Sequence, residues 1–286
     1  MLRLSGRRVN RSAGGDLFLF LLIAVVAAVM TVPLIYTLSN AFKPLHELWV
    51  FPPRILVRDP TLRNFRDLFA AMNDAWVPFS RYLFNTVYIT LVGTFGHVIL
   101  SSMCAYAICK LRFRGSRVLF RMVVLSLMFS SAVTAVPSFL IFTKLGLVDT
   151  YAALILPAFS SPLGLYLMKQ FMESMVNDTL LEAARIDGAG NARIFRSIVM
   201  PMVKPAWLTL IIFCFQNLWN IGSTNIIFSE ERKTINFAIA QISAAGISRA
   251  GTSAAATVIM MTVPIAVFIL TQSNIVQTMA TSGMKD

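Results

Sequence analysis

The sequence predicts an all-α protein that crosses a membrane six times, and three observations lead to this fold class. The chain of 286 residues is 57% hydrophobic and only 13% charged, with a mean hydropathy of +0.71. This is too apolar for a soluble domain of this size. The apolar residues fall into long uncharged runs, and the charged residues lie between the runs, as in multi-pass membrane proteins.

Each uncharged run is long enough to form a membrane-spanning helix. About 20 apolar residues cross a hydrocarbon core about 30 Å thick, since a helix rises about 1.5 Å per residue. The runs cover residues 17–38, 82–108, 122–143, 151–168 and 205–229, with a sixth inside 250–282. Ser160 and Gly164 are small residues four apart in the fourth run, which predicts close approach of another helix there.

Positive charge predicts the side of the membrane on which each loop lies, because basic residues are enriched in cytoplasmic loops. Residues 110–121 contain five basic residues and no acid, so this loop and the arginine-rich N-terminus are predicted to be cytoplasmic. With six spans, both termini and loop 169–204 are then cytoplasmic. The predicted divisions are an N-terminal segment with the first span and a long extracytoplasmic loop (1–81), a transmembrane core (82–275) and a cytoplasmic tail (276–286).

Composition and residue types exclude several classes of function. A net charge of +12 could indicate nucleic-acid binding, but the basic residues lie between apolar runs and no nucleic-acid motif accompanies them. Cys104, Cys109 and Cys214 lie in or at the ends of apolar runs without CxxC spacing. His46 and His97 are single and far apart, so we expect no metal site. No Asp, Glu, Lys or Arg lies within a run, which leaves ion-coupled transport without its usual groups.

The polar segment between the fourth and fifth runs has the pattern of a short helix followed by a turn. Thr179 and Glu182 form a capping-box pattern that predicts a helix start, and Gly188 is expected to end that helix with φ above zero. Ala183 and Ala184 give the helix a flat face with few side-chain atoms. Such a face suits insertion into a groove on a partner protein, whereas the alternative is an amphipathic loop that lies on the membrane.

A second short helix is predicted directly after this turn. It begins at Asn191, an acceptable N-cap, and runs to Met200. Pro201 and Pro205 would then end or kink it, because proline has no backbone N–H. The segment therefore has the predicted arrangement helix, turn, helix.

The residue spacing of this segment resembles the signature of ABC-importer permeases, whose loop docks in a cleft of the cytoplasmic ATPase. The signature is Glu-Ala-Ala, three residues, Gly, nine residues, Ile, one residue, Leu-Pro. The chain matches it at Glu182, Ala183, Ala184, Gly188, Ile198 and Pro201. It departs at Met200, where the family usually has Leu, and this change is nearly isosteric. The resemblance assigns contact with the ATPase to these positions and to Asp187 beside the glycine.

Two further stretches are similar to sugar permeases. Residues 39–69 are similar to the opening of permeases related to the smaller membrane subunit of the maltose system. The tail from residue 272 to 286 resembles permeases for complex oligosaccharides, including pectin-derived ones. The resemblance implies a type I ABC importer permease fold in the bacterial cell membrane, without catalytic residues in this chain.

The same resemblance implies a set of partners. These are a second, homologous permease subunit, two ATP-binding subunits and an extracytoplasmic solute-binding protein. ATP and Mg would be bound by the ATP-binding subunits, and this chain would bind no cofactor. Closure of the ATPases would move the spans between outward- and inward-facing states. The solute that the resemblance favours is a sugar, in particular an oligosaccharide.

Polar residues within the runs are candidates for the solute path. Amides and aromatic rings suit a neutral polyhydroxylated solute, and Trp219-Asn220 resembles a Trp-Asn pair common in sugar permeases. Gln216 and Asn217 lie just before this pair. Similar polar groups within the runs are Asn85, Thr86, Thr90, His97 and Asn225. The alternative role of all these groups is hydrogen bonding between helices, worth about 0.6–2 kcal/mol each.

Two other functions stay open at the level of sequence. The first is import of another solute, such as a polyamine or a peptide, although a cationic solute would call for acidic residues within the spans. The second is a membrane-embedded enzyme. That function would need a nucleophile, a base or a metal set at helical spacing, and the sequence offers none.

Overall fold

The computed structural model describes residues 13–73, 77–111, 113–222, 226–244, 246 and 249–282. The arginine-rich first twelve residues, Arg112 and Asn225 lie outside these ranges. Within them every regular element is helical, which confirms the predicted all-α class. The helices are α1 (Ala13–Phe42), α2 (Leu45–Leu48), α3 (Arg63–Asn73), α4 (Phe79–Lys110), α5 (Ser116–Ser126), α6 (Ser131–Lys144), α7 (Ala152–Phe159), α8 (Pro162–Met175), α9 (Asp178–Ile186), α10 (Asn191–Ile194), α11 (Met200–Met202), α12 (Lys204–Trp219), α13 (Ile235–Ala244) and α14 (Ala250–Ser282), with a π-helical turn at Phe195–Val199 and a 3₁₀ turn at Glu230–Arg232.

Among the described residues, four helical stretches are long and apolar enough to cross a membrane. They are Gly14–Phe42, Phe79–Lys110, Ala152–Met175 and Ala250–Thr271. A fifth results if the bent pair Asn191–Met202 and Lys204–Trp219 forms one span, and these two helices meet at 79°. The chain is therefore a multi-pass helical protein, and the count of six spans stays a prediction.

The run 122–143, predicted as one span, is divided between two helices. α5 ends at Ser126 and α6 begins at Ser131. The hydroxyl of Ser130 accepts a hydrogen bond from the Ala132 N–H at 3.2 Å, which is the geometry of a helix N-cap. The absence of charge across the whole run concealed this break from the sequence analysis.

The chain forms two compact units, and the first contains residues 1–70 and 242–259. The end of α1 is sealed by Asn64, whose side-chain amide donates to the carbonyls of Ala41 (2.9 Å) and Lys43 (2.8 Å). These carbonyls would otherwise lack partners, as at any helix C-terminus. Gly251 lies against the Asn64 amide with no room for a Cβ atom. The segment 242–259 therefore belongs with the N-terminal residues, a grouping that the predicted divisions at 81 and 275 do not contain.

The second unit contains residues 71–241 and 260–286, and α4 is its central helix. α4 contacts α7, α8 and α12. Its buried face carries small and polar residues at helical spacing: Asn85, Thr86, Thr90, Gly93, Thr94, His97 and Ser101. Small side chains let helix backbones approach closely, which is how helices associate within a membrane. The predicted polar groups of this run therefore lie on the buried face of α4.

Glycines mark the closest approaches in this unit. A Cβ atom at Gly164 of α8 would collide with the His97 ring of α4 and press on Leu210 of α12. One at Gly96 of α4 would collide with the Phe159 ring of α7. The close approach predicted at Gly164 is confirmed.

A network of hydrogen bonds around Asp149 lies at the end of this unit where α4 begins. Asp149 has φ of 60°, a conformation that few residues other than glycine adopt. Its carboxylate accepts hydrogen bonds from the backbone N–H groups of Phe228 (3.0 Å) and Ser229 (2.9 Å) and from Arg232 (2.8 Å). Burial alone would raise the pKa of Asp149, but the bonds from Ser229, Phe228 and Arg232 outweigh it and lower the pKa.

The same network includes the first turns of α4 through Asn85. Its side-chain amide donates to the carbonyls of Glu231 (2.8 Å) and Lys233 (2.9 Å) and accepts from the Tyr151 hydroxyl (2.7 Å). Two loops and one helix thus share a single set of polar contacts. Both loops must move together if this end of the unit changes shape.

Candidate functional site

The helix-turn-helix segment of residues 177–203 begins with α9, and its cap differs from the predicted one. Asn177 is the N-cap, and its side-chain oxygen accepts the Thr179 N–H at 3.1 Å. The capping box predicted at Thr179 and Glu182 is therefore wrong, because the chain offers a better cap two residues earlier. Glu182 is left exposed on the surface of the helix.

The turn after α9 is a Schellman motif, and it explains why glycine occupies position 188. Gly188 has φ of 80°, as predicted. Its N–H donates to the Arg185 carbonyl (3.0 Å), while the Ala189 N–H donates to the Ala184 carbonyl (2.9 Å). This pair of bonds defines the motif, in which the residue after the cap adopts the left-handed conformation.

The two alanines of α9 face in different directions. Ala183 is exposed, whereas Ala184 is half-buried and packs with Ala189 against the core of the unit. The predicted flat face is therefore formed by Ala183 together with the exposed residues Glu182, Asp187 and Gly188, while Ala184 attaches the helix to the core. Ile186 lies between charged neighbours at the end of α9 and is 86% exposed.

The second arm of the segment is longer and less regular than predicted. α10 has Gly190 as its N-cap, so the predicted cap at Asn191 is displaced by one residue. Residues 195–199 form a π-helical turn, in which the Met200 N–H donates to the Phe195 carbonyl five residues back. Helical structure continues through Pro201 to Met202, so Pro201 does not end the helix.

The chain bends by 79° between α11 and α12. The bend lies at Val203, just before Pro205, which agrees with the predicted kink, because a proline ring prevents continuation of the preceding helix. The indole N–H of Trp207 donates to the Met200 carbonyl at 3.1 Å. This bond satisfies a carbonyl that the bend deprives of its helical partner.

Apolar packing holds the 177–203 segment on the ends of α4 and α8. Leu181, Ile194, Val199 and Val203 are buried in one cluster with residues of these two helices: Val98, Ala105, Tyr106, Met168 and Met172. Ile198 is half-buried against this cluster, while Pro201 is exposed. The segment therefore has an inner face fixed to the membrane helices and an outer face that carries charged groups of both signs, an alanine and one exposed isoleucine. That outer face can bind a groove on another protein.

A cavity of about 810 Å³ lies in the middle of the second unit. Its polar lining comes from six helices or their ends: His97, Ser126, Thr134, Ser138, Ser160, Ser161 and Asn217. None of the described residues that line it is an Asp, Glu, Lys or Arg. Hydroxyl and amide groups can donate and accept hydrogen bonds, so the cavity can bind an uncharged polyhydroxylated molecule.

The four residues predicted for the solute path do not lie together. Of the four, only Asn217 lines the cavity. Trp219 is 3% exposed and stacks on Phe215, and its indole N–H donates to the Met260 carbonyl at 3.0 Å. Gln216 is half-buried, and the exposed Asn220 donates back to its carbonyl at 2.9 Å.

Sequence reasoning did not identify Ile186, Asp149 or the role of the serines that line the cavity. Ile186 is an apolar residue in a charged stretch, and this was a signal for a contact surface. Asp149 carried no recognisable signal, since its partners are about 80 residues away in the chain. Of the cavity serines, the sequence singled out only Ser160, as a small residue that allows close approach of another helix. Within the described ranges, His, Cys, Asp and Glu side chains form no group of three that could hold a metal ion.

Comparison with known proteins agrees with the resemblance of residues 182–201 to the signature of ABC-importer permeases. The family model of the binding-protein-dependent transport system inner membrane component matches residues 97–281. The trehalose transport system permease protein SugB of Mycobacterium tuberculosis is 32% identical over 250 residues, which cover 82% of this chain and 89% of that protein. The galactooligosaccharides transport system permease protein GanQ of Bacillus subtilis is 28% identical over 274 residues, covering 94% and 95%.

The fold also has a counterpart among solved structures. A chain in the crystal structure of a bacterial ABC transporter involved in the import of the acidic polysaccharide alginate superposes with a TM-score of 0.78. The match covers 93% of this chain and 99% of the other at 21% identity, so it concerns the fold, and it confirms the permease fold that the resemblance implied. Since the family model matches well over half of the sequence, the chain belongs to the inner membrane components of binding-protein-dependent transport systems.

Proposed function

We propose that this chain is one of two permease subunits of an ATP-driven importer and that it passes a sugar, in particular an oligosaccharide, into the cytoplasm. The observation that carries the proposal is the outer face of α9, where Glu182, Ala183, Asp187 and Gly188 are exposed while Leu181 and Ala184 attach the helix to the membrane core. Such a face can receive force from one protein and pass it to another. Relatives named for trehalose and galactooligosaccharides support a sugar.

In the proposed assembly this chain pairs with a second, homologous permease. Two ATP-binding subunits bind ATP and Mg, and one of them binds the outer face of α9. A solute-binding protein delivers the sugar from the extracytoplasmic side. Closure of the ATP-binding subunits moves α9, and the spans change from inward- to outward-facing. Such a cycle needs an element with two states that nucleotide and solute favour differently.

The proposed topology has six spans with both termini in the cytoplasm. The spans are α1, α4, α5 with α6, α7 with α8, α12 and α14. The basic residues between α4 and α5, which include Arg114 and Arg117, support a cytoplasmic position for this loop. Residues 177–203 then lie on the cytoplasmic side, and the network around Asp149 lies on the extracytoplasmic side.

The proposed solute path is the hydroxyl-lined cavity, with Asn217 as its main amide. Trp219, Gln216 and Asn220 support this path from α12: Trp219 holds the helix in place through Phe215 and Met260. The absence of Asp, Glu, Lys and Arg among the described lining residues favours an uncharged sugar, since a carboxylate or an amine would lack an ionic partner there.

The topology predicts opposite results for two reporter fusions. A reporter fused after Arg117 should be cytoplasmic, and one fused after Lys233 should be extracytoplasmic. Enzymatic reporters that are active on only one side of the membrane provide the measurement. If both fusions report the same side, the six-span topology is wrong.

Asn217→Ala should weaken transport without affecting assembly, because it removes one hydrogen-bonding group from the cavity. Loss of one such bond costs about 0.5–1.5 kcal/mol, which corresponds to a rise of roughly 2- to 12-fold in the KM of uptake. Trp219→Phe is the comparison, since it keeps the stacked ring and removes the bond to Met260; its main effect should be a lower melting temperature of the complex. Normal uptake by Asn217→Ala would exclude this residue from the solute path.

Ala183→Trp should prevent binding of the ATP-binding subunit, because the added ring occupies the space of the partner's groove. Overpacking costs about 1–3 kcal/mol, or roughly 5- to 150-fold in affinity. Gly188→Val should have a similar effect, since a residue with Cβ in this conformation costs at least about 1 kcal/mol. Glu182→Ala should cause a weaker defect, because only an exposed charge is lost. The measurement is co-purification of the ATPase together with ATP hydrolysis stimulated by the solute-binding protein.

The matched control is Ala70→Trp, which places the same ring on the exposed side of α3 and should leave co-purification unchanged. All variants should insert into the membrane in normal amounts, since these positions lie outside the spans. Normal ATPase retention and stimulation in both Ala183→Trp and Gly188→Val would refute the proposed role of α9.

A further inference from the structure

One lysine joins three helices at the place where the 177–203 segment meets the membrane helices. Lys110 is the last residue of α4. Its ammonium group donates to the Asp178 carboxylate at 2.7 Å and to the Val176 carbonyl at 2.7 Å. Val176 is the C-cap of α8, and Asp178 is the first residue of α9. The Lys110 side chain is 6% exposed, whereas Asp178 is 42% exposed.

The charges suit these positions. The ammonium group lies at the C-terminal ends of α4 and α8, where unpaired carbonyls carry partial negative charge, and the carboxylate lies in the first turn of α9, where N–H groups carry partial positive charge. A buried ammonium group is costly unless it is paired and hydrogen-bonded. Lys110 therefore retains both contacts only while the three helix ends keep this arrangement.

The apolar cluster beneath α9 cannot provide the same constraint. Leu181 and its neighbours fix α9 against the membrane helices, but apolar contacts have no preferred direction. Charge-assisted hydrogen bonds are directional and short. The pair Lys110–Asp178 thus sets the angle between α9 and α4, while the cluster sets their separation.

α4 extends from this link to the solute cavity. His97, which lines the cavity, lies thirteen residues before Lys110, or about 20 Å along the helix. We propose that Lys110 and Asp178 are positioning residues that transmit movement of the ATPase-docking helix α9 to α4 and so to the cavity. This inference rests on the proposed function of α9, and it assigns a role to two residues outside the Glu-Ala-Ala-Gly motif.

A nearby ion pair provides a matched control. Lys169 and Glu173 are 2.6 Å apart, but both belong to α8, and Lys169 is similarly buried with 14% exposure. The ion pair itself lies within one helix, and Lys169 also lies over the Phe120 ring of α5 at 4.1 Å, so neither contact is between α4 and α9. Removal of this pair therefore changes charge and burial in the same region and leaves the link between α4 and α9 intact.

The test uses the complete transporter in proteoliposomes, with the solute-binding protein on the side that the extracytoplasmic loops face. Lys110→Met and Asp178→Asn are compared with Lys169→Met and Glu173→Gln. The measured quantity is the amount of solute moved per ATP hydrolysed, which a purely structural role would not alter once the complex has assembled. We expect Lys110→Met and Asp178→Asn to retain the ATPase and to lower this ratio at least ~5-fold, the low end of coupling between sites.

The double variant Lys110→Met with Asp178→Asn should be no worse than either single variant, because both remove the same contact. The control variants should stay close to the wild-type ratio. If Lys110→Met fails to assemble, Asp178→Asn decides, since this side chain is partly exposed. A wild-type ratio in Asp178→Asn, or an equal loss in the control pair, overturns the inference. Failure of the wild-type chain to bind the ATP-binding subunit would instead refute the proposed function itself.

Discussion

The close packing of α4 against α7, α8 and α12 is the constraint on which the rest of the second unit depends. Its buried face is rich in small and polar residues, and the rings of Phe159 and His97 occupy the space that side chains at Gly96 and Gly164 would fill. The helix contributes Asn85 to the Asp149 network near its start, lines the cavity near its middle and supports the 177–203 segment at its end. A displacement of α4 therefore affects all three.

Much of the fold could be predicted because its signals are local. Hydropathy identified the apolar runs, and the turn at Gly188 followed from the freedom of glycine to adopt φ above zero. The signals that failed were those with close competitors. Asn177 and Thr179 are both acceptable caps two residues apart, and the helix begins after Asn177, the stronger of the two. The break at Ser130 lies within a run that carries no charge and has the length of one span.

The candidate site was predicted well where a motif defined it and less well where helical phase mattered. Asn217 and Trp219 are two residues apart, so they project from α12 in directions about 200° apart. One faces the cavity and the other the core. Lys110 and Asp149 could be read only as charges in loops, since Asp178 lies 68 residues from Lys110. Contacts between distant segments need the fold before they can be recognised.

The central claim is that the outer face of α9 docks on the ATP-binding subunit, and maleimide labelling tests it directly. Ile186→Cys is introduced after Cys104, Cys109 and Cys214 have been replaced, and Phe51→Cys, at a position 92% exposed in the other unit, is the control. The account predicts that Cys at 186 is labelled rapidly in the isolated chain and protected at least ~10-fold once the ATP-binding subunit is bound, while Cys at 51 is labelled equally in both states. Equal labelling at 186 with and without the bound subunit would contradict it.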